Sequence, residues 1–313
     1  MIDVKAHVAS RLVAIGAALA MTAGCSSSTE YRPNARSLEW IDRYGYTETE
    51  VVDFAFGEQG VWVPIVTAKI NNRPARLILD TGTNAYAALD ESGFEALEIP
   101  IARWSTFLDA SGQPSGRIPQ GRASTLEVGA ARWTDIEIEG LGPESITGKR
   151  IGYVGTLGWH ALREGRLTID YANRKAAITE RELPARIEAC ATRHVADFVS
   201  PPEIDGLILI QAVLDGREFL AQLETGKSST LLAPELESIR SFETGDRGLE
   251  IDGLRIGPFG LQTRFGRMGR GFDSFSRGVE RPVLVGLGSD LLSRFLVTVD
   301  YVNRRVILEE SDC

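Results

Sequence analysis

The sequence predicts an all-β protein of two tandem lobes, with one short helix in each lobe. Two observations support this fold class. Short segments rich in β-branched residues recur along the chain, and turn residues separate them, which is typical of strands. A long stretch of the chain is also repeated within it, and an internal repeat defines the architecture before any single strand is assigned.

Residues 1–24 have the features of a signal peptide. Lys5 and Arg11 precede an apolar run, 12–24, that is too short to span a bilayer. The run ends in Ala23-Gly24-Cys25, and small residues before a cysteine resemble the lipobox of bacterial lipoproteins. We therefore expect a lipid on Cys25 and a periplasm-facing position at the bacterial cell envelope. The alternative is a simple secretory signal that is cleaved nearby.

Residues 25–49 are predicted to form a tether and an N-terminal extension, in which the polar stretch 26–36 spans from the lipid to the folded lobes. The chain of 313 residues has a net charge of -9, which becomes -10 once the signal peptide, with a net charge of +1, is removed. An acidic chain does not attract the phosphates of nucleic acid, so we expect no nucleic-acid partner.

Three cysteines are present, and lipid attachment at Cys25 would leave Cys190 and Cys313. An even number of cysteines in an oxidising compartment favours a disulfide, which here would join the segment between the lobes to the C-terminus. Two buried free thiols are the alternative.

The repeat is clearest where 158–175 aligns without gaps on 288–305. Each copy begins with a short predicted helix, near 159–164 and 290–294, and continues into a hairpin. Asp170 and Asp300 occupy the same place in the two hairpins, and we interpret both as turn-forming residues.

A second pair of hairpins lies upstream. In the first copy, strands at 65–70 and 75–79 flank Asn71-Asn72; in the second, strands at 207–214 and 219–223 flank Asp215-Gly216, a strong signal for a two-residue turn. Each hairpin leads directly into the same frame. The frames are Asp80-Thr81-Gly82-Thr83 and Glu224-Thr225-Gly226-Lys227.

A third pair of landmarks is formed by 126–138 and 254–265. Between the frame and this landmark the first copy has about 16 more residues than the second, and they include a glycine-rich polar stretch, 108–117. This difference predicts a mobile β-hairpin in the first copy only. We place lobe one at 50–180, an interlobe linker at 181–204 and lobe two at 205–313.

These motifs, taken in order, resemble the bacterial retropepsin-like aspartic peptidases. The resemblance implies two β-barrel lobes in a pepsin-like pseudo-two-fold arrangement, with one loop from each lobe at a shared site. It implies that Asp80 and Glu224 form the catalytic pair and that Thr81, Gly82, Thr83, Thr225, Gly226 and Lys227 form the active-site loops. It also implies a flap at Ala110, Ser111, Gly112 and Gln113. A peptide or an unfolded protein segment is the expected partner of the cleft, and no cofactor or metal is expected.

The second copy departs from the family pattern at two positions. Glu224 is longer than aspartate by one methylene, and a misplacement of about 1 Å can cost about 10²-fold in rate. Lys227 stands where a small or hydroxyl residue is usual, and its ammonium could pair with either carboxylate and abolish a shared proton.

Three hypotheses therefore remain: an active peptidase, an inactive homologue that binds an extended peptide, and a homodimer that joins two Asp80 loops. We expect a monomer, because a covalently linked lobe is present at an effective concentration of about millimolar. For Asp80 alone, capping of a turn is a further alternative.

The sequence lacks the motifs of two other classes of hydrolase. The chain has no Gly-x-Ser-x-Gly and no His-Glu-x-x-His, the motifs of serine hydrolases and zinc peptidases. The segment 264–277 interleaves arginine with aromatic residues, and we interpret it as an exposed loop of lobe two. Contact of its arginines with a substrate or an envelope component is the alternative.

Overall fold

A computed structural model describes residues 37–57, 61–108, 114–142, 154–184, 192–238, 244–245, 248–267 and 271–310. The strands of this part of the chain are β1 (Val51–Ala55), β2 (Ile65–Ile70), β3 (Arg73–Leu79), β4 (Ala87–Leu89), β5 (Ile101–Leu108), β6 (Pro114–Val128), β7 (Ala131–Gly140), β8 (Gly155–Leu157), β9 (Arg166–Asp170), β10 (Lys175–Thr179), β11 (Arg193–Asp197), β12 (Leu209–Leu214), β13 (Arg217–Leu223), β14 (Leu231–Leu232), β15 (Thr244–Gly245), β16 (Gly248–Ile256), β17 (Phe259–Arg267), β18 (Val283–Leu287), β19 (Phe295–Asp300) and β20 (Arg305–Glu310). The helices are α1 (Trp40–Arg43), α2 (Glu91–Ala96), α3 (Trp159–Leu162), α4 (Gly271–Phe275) and α5 (Ser289–Leu292), with 3₁₀ turns at Glu48–Glu50 and Pro234–Ser238.

The two lobes have the same strand order. In lobe one the order is β2-β3-β8-β4-β7-β6-β5, and in lobe two it is β12-β13-β18-β14-β17-β16-β15. The closing contact is repeated as well, because β2 also pairs with β6 and β12 with β16. Each strand of lobe one therefore has its counterpart ten strands later. The predicted fold class, an all-β protein of two tandem lobes, is confirmed.

A six-stranded sheet joins the lobes in the order β11-β20-β19-β9-β10-β1. At its centre, the repeated strands β9 and β19 pair antiparallel with Thr168 opposite Thr298. The hydroxyl oxygens of these two threonines lie 2.8 Å apart in a buried hydrogen bond. The repeat is therefore related by a pseudo-two-fold axis that passes between these two residues.

The predicted linker 181–204 contains part of the second lobe. Its strand β11 pairs with β20, and Val199 then bridges to Leu209 at the start of β12. In the first copy, β1 pairs with β10 and β2 in the same way. The second copy thus begins at β11. The sequence concealed this strand because its residues are half-exposed and lack a continuous apolar run.

Residues 37–50, most of which belong to the predicted N-terminal extension, cover the sheet between the lobes. Trp40, Tyr44 and Tyr46 are buried there against residues of β10, β19 and β20. The Trp40 indole donates to Asp170 Oδ2 (2.9 Å), and the Tyr46 hydroxyl lies 2.6 Å from Thr168 Oγ1. This extension therefore braces the sheet at the pseudo-two-fold axis.

The predicted hairpins are confirmed together with their turns. Asn71 and Asn72 have φ values of 50° and 64°, and Asp215 and Gly216 have 50° and 78°. Two successive positive φ angles define the type I′ turn that suits the twist of a two-residue hairpin. The turn-forming role of Asp170 and Asp300 is also confirmed, because each carboxylate accepts from the backbone N and the amide of the asparagine three residues later.

The predicted number of helices, one per lobe, was too low. Besides α3 and α5, lobe one contains α2 and lobe two contains α4. Helix α2 begins where the Asp90 carboxylate accepts from Gly93 N (2.7 Å), which satisfies a free N–H of the first turn. The segment 264–277 is also not a loop throughout. Strand β17 continues to Arg267, and helix α4 occupies 271–275.

A long β5–β6 hairpin is present in lobe one, as predicted. The prediction that only the first copy has such a hairpin was wrong, because lobe two contains the counterpart β15–β16, which pairs over Thr244–Gly245 and 248–249 among the described residues. The tip residues of the lobe-one hairpin, Ala110, Ser111, Gly112 and Gln113, lie outside the described residues, as do Cys25, Cys190 and Cys313. In the part that is described, no helix has the length and hydrophobicity needed to cross a membrane.

Candidate active site

The two predicted loops follow the inner strands of their lobes. Asp80 comes directly after β3, and its N–H donates to Leu157 O at the end of β8 (3.0 Å). Glu224 comes directly after β13, and its N–H donates to Leu287 O at the end of β18 (3.0 Å). Because β3–β8 and β13–β18 are equivalent parallel pairs, both acidic residues leave their sheets at equivalent positions.

Thr81 and Thr225 lock the two loops together across the pseudo-two-fold axis. Thr81 N donates to Thr225 Oγ1, and Thr225 N donates to Thr81 Oγ1, both at 3.1 Å. Thr81 Oγ1 in turn donates to Leu223 O (2.9 Å), and Thr225 Oγ1 donates to Leu79 O (2.6 Å). Each hydroxyl therefore satisfies one buried donor and one buried acceptor of the opposite lobe.

Each acidic side chain lies against the glycine of the opposite loop. A Cβ atom on Gly82 would lie 3.1 Å from Cγ, Cδ and Oε1 of Glu224. A Cβ atom on Gly226 would overlap the carboxyl group of Asp80. Gly226 is therefore required, since any side chain would displace the Asp80 carboxylate, whereas a side chain at position 82 would press tightly on Glu224. The structure thus brings the Asp80 and Glu224 side chains together between the loops.

The Asp80 carboxylate is held by its own loop. Oδ1 accepts from Gly82 N (2.8 Å) and Oδ2 from Thr83 Oγ1 (2.8 Å), whose oxygen also lies 3.1 Å from Thr156 Oγ1. Burial raises the pKa of Asp80, against the opposing effects of these hydrogen bonds and of the Lys227 ammonium. Thr83 occupies the position that Lys227 has in lobe two.

The Glu224 carboxylate forms an ion pair instead. Lys227 Nζ donates to Oε2 at 2.7 Å, and both side chains are largely buried. Burial is also the main cause that raises the pKa of Glu224. The Lys227 ammonium and the Gln222 amide act against it, and the charge of Asp80 adds to it. Of the two partners that the sequence allowed for Lys227, the structure places it on Glu224.

Two supporting contacts were not predicted. Thr156 orients the Thr83 hydroxyl, and Ser289 Oγ donates to Thr225 O (3.2 Å) while lying 3.3 Å from the Tyr171 hydroxyl. In lobe one the position of Ser289 is occupied by Trp159. The gapless alignment of 158–175 on 288–305 could have singled out this difference, but neither residue belongs to a motif.

The side chains that the structure describes contain no group of three or more His, Cys, Asp or Glu residues arranged to hold a metal ion. No protein-family model matches the chain, and no curated protein matches it. Among solved structures, the crystal structure of an aspartic proteinase from Irpex lacteus is similar to it, with a TM-score of 0.49 and 11% sequence identity. That similarity covers 84% of this chain and 97% of the other.

Proposed function

We propose that this protein is an aspartic endopeptidase that hydrolyses peptide bonds with a water activated between Asp80 and Glu224. The observation that carries the proposal is the reciprocal packing of each carboxyl side chain on the glycine of the opposite loop. Such packing brings two acidic groups from separate lobes to one point, and paired carboxyls with separated roles are the basis of acid–base hydrolysis.

The surroundings of the two carboxyls suggest separate roles. Glu224 forms an ion pair with the Lys227 ammonium, so it is favoured as the ionised group, the general base. The described hydrogen bonds to the Asp80 carboxylate come from neutral donors, the Gly82 N–H and the Thr83 hydroxyl. The Lys227 ammonium affects the pKa of Asp80 less than these donors do, so Asp80 is favoured as the protonated group, the general acid. With Asp80 protonated, Glu224 ionised and Lys227 charged, the group is neutral, whereas a pair of carboxyls that shares one proton carries one negative charge.

In this mechanism Glu224 takes a proton from the water, and the water oxygen attacks the carbonyl carbon of the peptide. Asp80 donates its proton to the carbonyl oxygen, and a neutral tetrahedral diol forms. The diol then returns a proton to Asp80, while Glu224 gives its proton to the departing amine. Both carboxyls end in their starting states. Because the pKa of each is raised, the active range should lie above that of ordinary carboxyls.

The proposed substrate is a peptide or an unfolded protein segment that lies in the cleft under the β5–β6 hairpin. We also propose a monomer that a lipid on Cys25 holds at the cell envelope, on the strength of residues 1–25 alone. The two copies within one chain supply both loops of the site, which supports a monomer.

A second candidate function is peptide binding without cleavage. The Lys227–Glu224 ion pair favours it, because an ionised glutamate that is already paired has less basicity to offer a water. An extended peptide would then be held in the same cleft by its backbone hydrogen bonds.

The test is cleavage of an unfolded protein or a peptide library by the full-length chain between pH 3 and pH 8. Asp80→Asn should abolish cleavage. Asp53→Asn, an exposed carboxylate on β1 paired with Lys175, is the matched control and should cut normally. Absence of cleavage by the native chain and by a Glu224→Asp, Lys227→Ser double variant would contradict the peptidase. Cleavage by that double variant alone would support the binding protein.

A further inference from the structure

A row of residues crosses the lobe-one sheet from the candidate site to the long hairpin. Thr156 pairs with Ala88, Ala88 with Glu139, Glu139 with Gln120, and Gln120 with Arg103. Residues that pair directly across neighbouring strands point to the same face of a sheet. The flanking residues Leu157, Leu89 and Ile138 point into the lobe-one core, so the row occupies the opposite face.

This face is the one that meets Asp80. The Thr156 hydroxyl lies 3.1 Å from that of Thr83, which donates to the Asp80 carboxylate. Neighbouring strands are about 4.8 Å apart, so Glu139 lies about 10 Å beyond Thr156 along the row. An extended peptide spans about 3.3 Å per residue. The side chain of Glu139 is therefore within about three residues of a bond held at Asp80.

Glu139 is an unusual residue for this face of the sheet, which we call the wall of the cleft. It is only 6% exposed, and its carboxyl group has no hydrogen bond or ion pair in the part of the chain that the structure describes. Burial, and to a lesser extent the charge of Glu137, raises its pKa to about 7, while Arg103 acts in the opposite direction. A buried acid without a partner is costly for the folded state, and a bound ligand that supplied a partner would remove the cost.

The nearby charges leave the row negative. Arg103 is the one cation among the described residues of the row; it pairs with Glu137 (2.5 Å) and donates to the Gln120 amide oxygen. Its guanidinium is thus already engaged by another carboxylate. Arg122, which lies opposite Glu137, pairs with Asp135. Three acidic and two basic groups therefore face this part of the sheet and leave a net charge of -1, to which Ala88 and Gln120 add nothing. A cation is therefore the ligand that the row can accept.

We propose that Glu139 is a specificity-determining residue of the cleft and that its carboxylate binds the ammonium or guanidinium of a lysine or arginine side chain of the bound peptide. The inference rests on the proposed peptide-binding cleft but not on cleavage. A charge-assisted hydrogen bond in a site shielded from water is about twice as strong as a neutral one, and it selects one residue type at one peptide position.

The test uses the full-length protein and synthetic decapeptide libraries in which one position at a time is fixed as lysine, arginine or norleucine, the uncharged analogue of lysine. Cleavage is measured with the native chain, and binding is measured with Asp80→Asn so that no peptide is cut. At pH 8, one position should prefer lysine or arginine over norleucine by about tenfold. The preference should fall toward one in Glu139→Gln and should persist in Glu127→Gln, the same substitution at a lobe-one carboxylate that pairs with Arg132 and lies seven residues along β6 from Gln120.

Two further measurements strengthen the test. Glu139→Asp keeps the charge and should retain part of the preference, which separates loss of the carboxylate from loss of structure. The preference should also weaken between pH 8 and pH 5.5 as Glu139 takes up a proton; Glu137 and Arg103 are the charged groups that act on it.

Absence of any basic preference, or a preference that survives Glu139→Gln, would overturn the inference. Selective binding of basic peptides without cleavage would uphold it and contradict the peptidase. Absence of both binding and cleavage would contradict both.

Discussion

Substitution of Thr225 by valine tests whether the crossed threonines hold the two lobes in register. Valine has the same shape as threonine, so packing is kept and only the hydroxyl is removed. Two groups of lobe one then lose their partners, the N–H of Thr81 (3.1 Å) and the carbonyl of Leu79 (2.6 Å). Thr225 is 0% exposed, so water cannot replace the lost hydroxyl.

The expected cost follows from these two losses. A buried polar group that loses its partner costs about 1–3 kcal/mol, so the loss of two partners should lower the free energy of unfolding by about 2–6 kcal/mol. That is a large part of the total, because domains are stabilised by only about 5–15 kcal/mol.

The assay is urea denaturation followed by far-ultraviolet circular dichroism. Thr67→Val is the matched control: it makes the same change at an exposed position on β2, and it should alter the free energy of unfolding by less than about 0.5 kcal/mol. A loss below about 1 kcal/mol in Thr225→Val, or equal losses in the two variants, would refute the proposed brace.

Three other substitutions probe the site and its wall. Lys227→Met removes the ammonium that lowers the pKa of both cleft carboxyls, so the pH–rate profile should move to higher pH; an unchanged profile would show that the ion pair has no part in their ionisation. Gly226→Ala places a methyl group on the Asp80 carboxyl and should reduce cleavage by about 100-fold or more, whereas Gly260→Ala, where the added methyl group meets nothing, should not. Glu139→Gln should stabilise the fold by up to about 3 kcal/mol at pH 8 and by much less at pH 5. The reason is that the pKa of this carboxyl rises from 4.5 to about 7 on folding, so the native chain loses stability as pH rises between those values. Equal denaturation midpoints at pH 8 would contradict this burial effect.

The hairpins were predictable because their signals are local. Asn71-Asn72 and Asp215-Gly216 tolerate the positive φ angles of a two-residue turn, and the apolar alternation around them defines the strands. Strand β11 and helix α2 were not predictable in this way. The first is stabilised by pairing with β20, a partner more than 100 residues away, and the second is a six-residue helix whose main signal is the cap at Asp90.

The residues of the candidate site likewise fall into those that the sequence predicted and those that it did not. The frames at 80–83 and 224–227 identified Asp80, Glu224 and their glycines, because each loop has a fixed sequence after a strand. Thr156 and Glu139 were not predicted, because a threonine or a glutamate within a strand is expected to face solvent. Their place in the cleft depends on which strands become neighbours, and the register of β4 with β7 and β8 determines it.

The two-lobed all-β fold and the pair of acidic loops could be predicted from the sequence, because a repeat and a turn motif are properties of adjacent residues. The start of the second copy at β11 and the pairing of Lys227 with Glu224 became apparent only in three dimensions. The three-dimensional fold alone placed Glu139 on the sheet face that also meets Asp80. The reason is that ion pairing, burial and strand neighbours arise from residues far apart in the chain, and no local pattern encodes them.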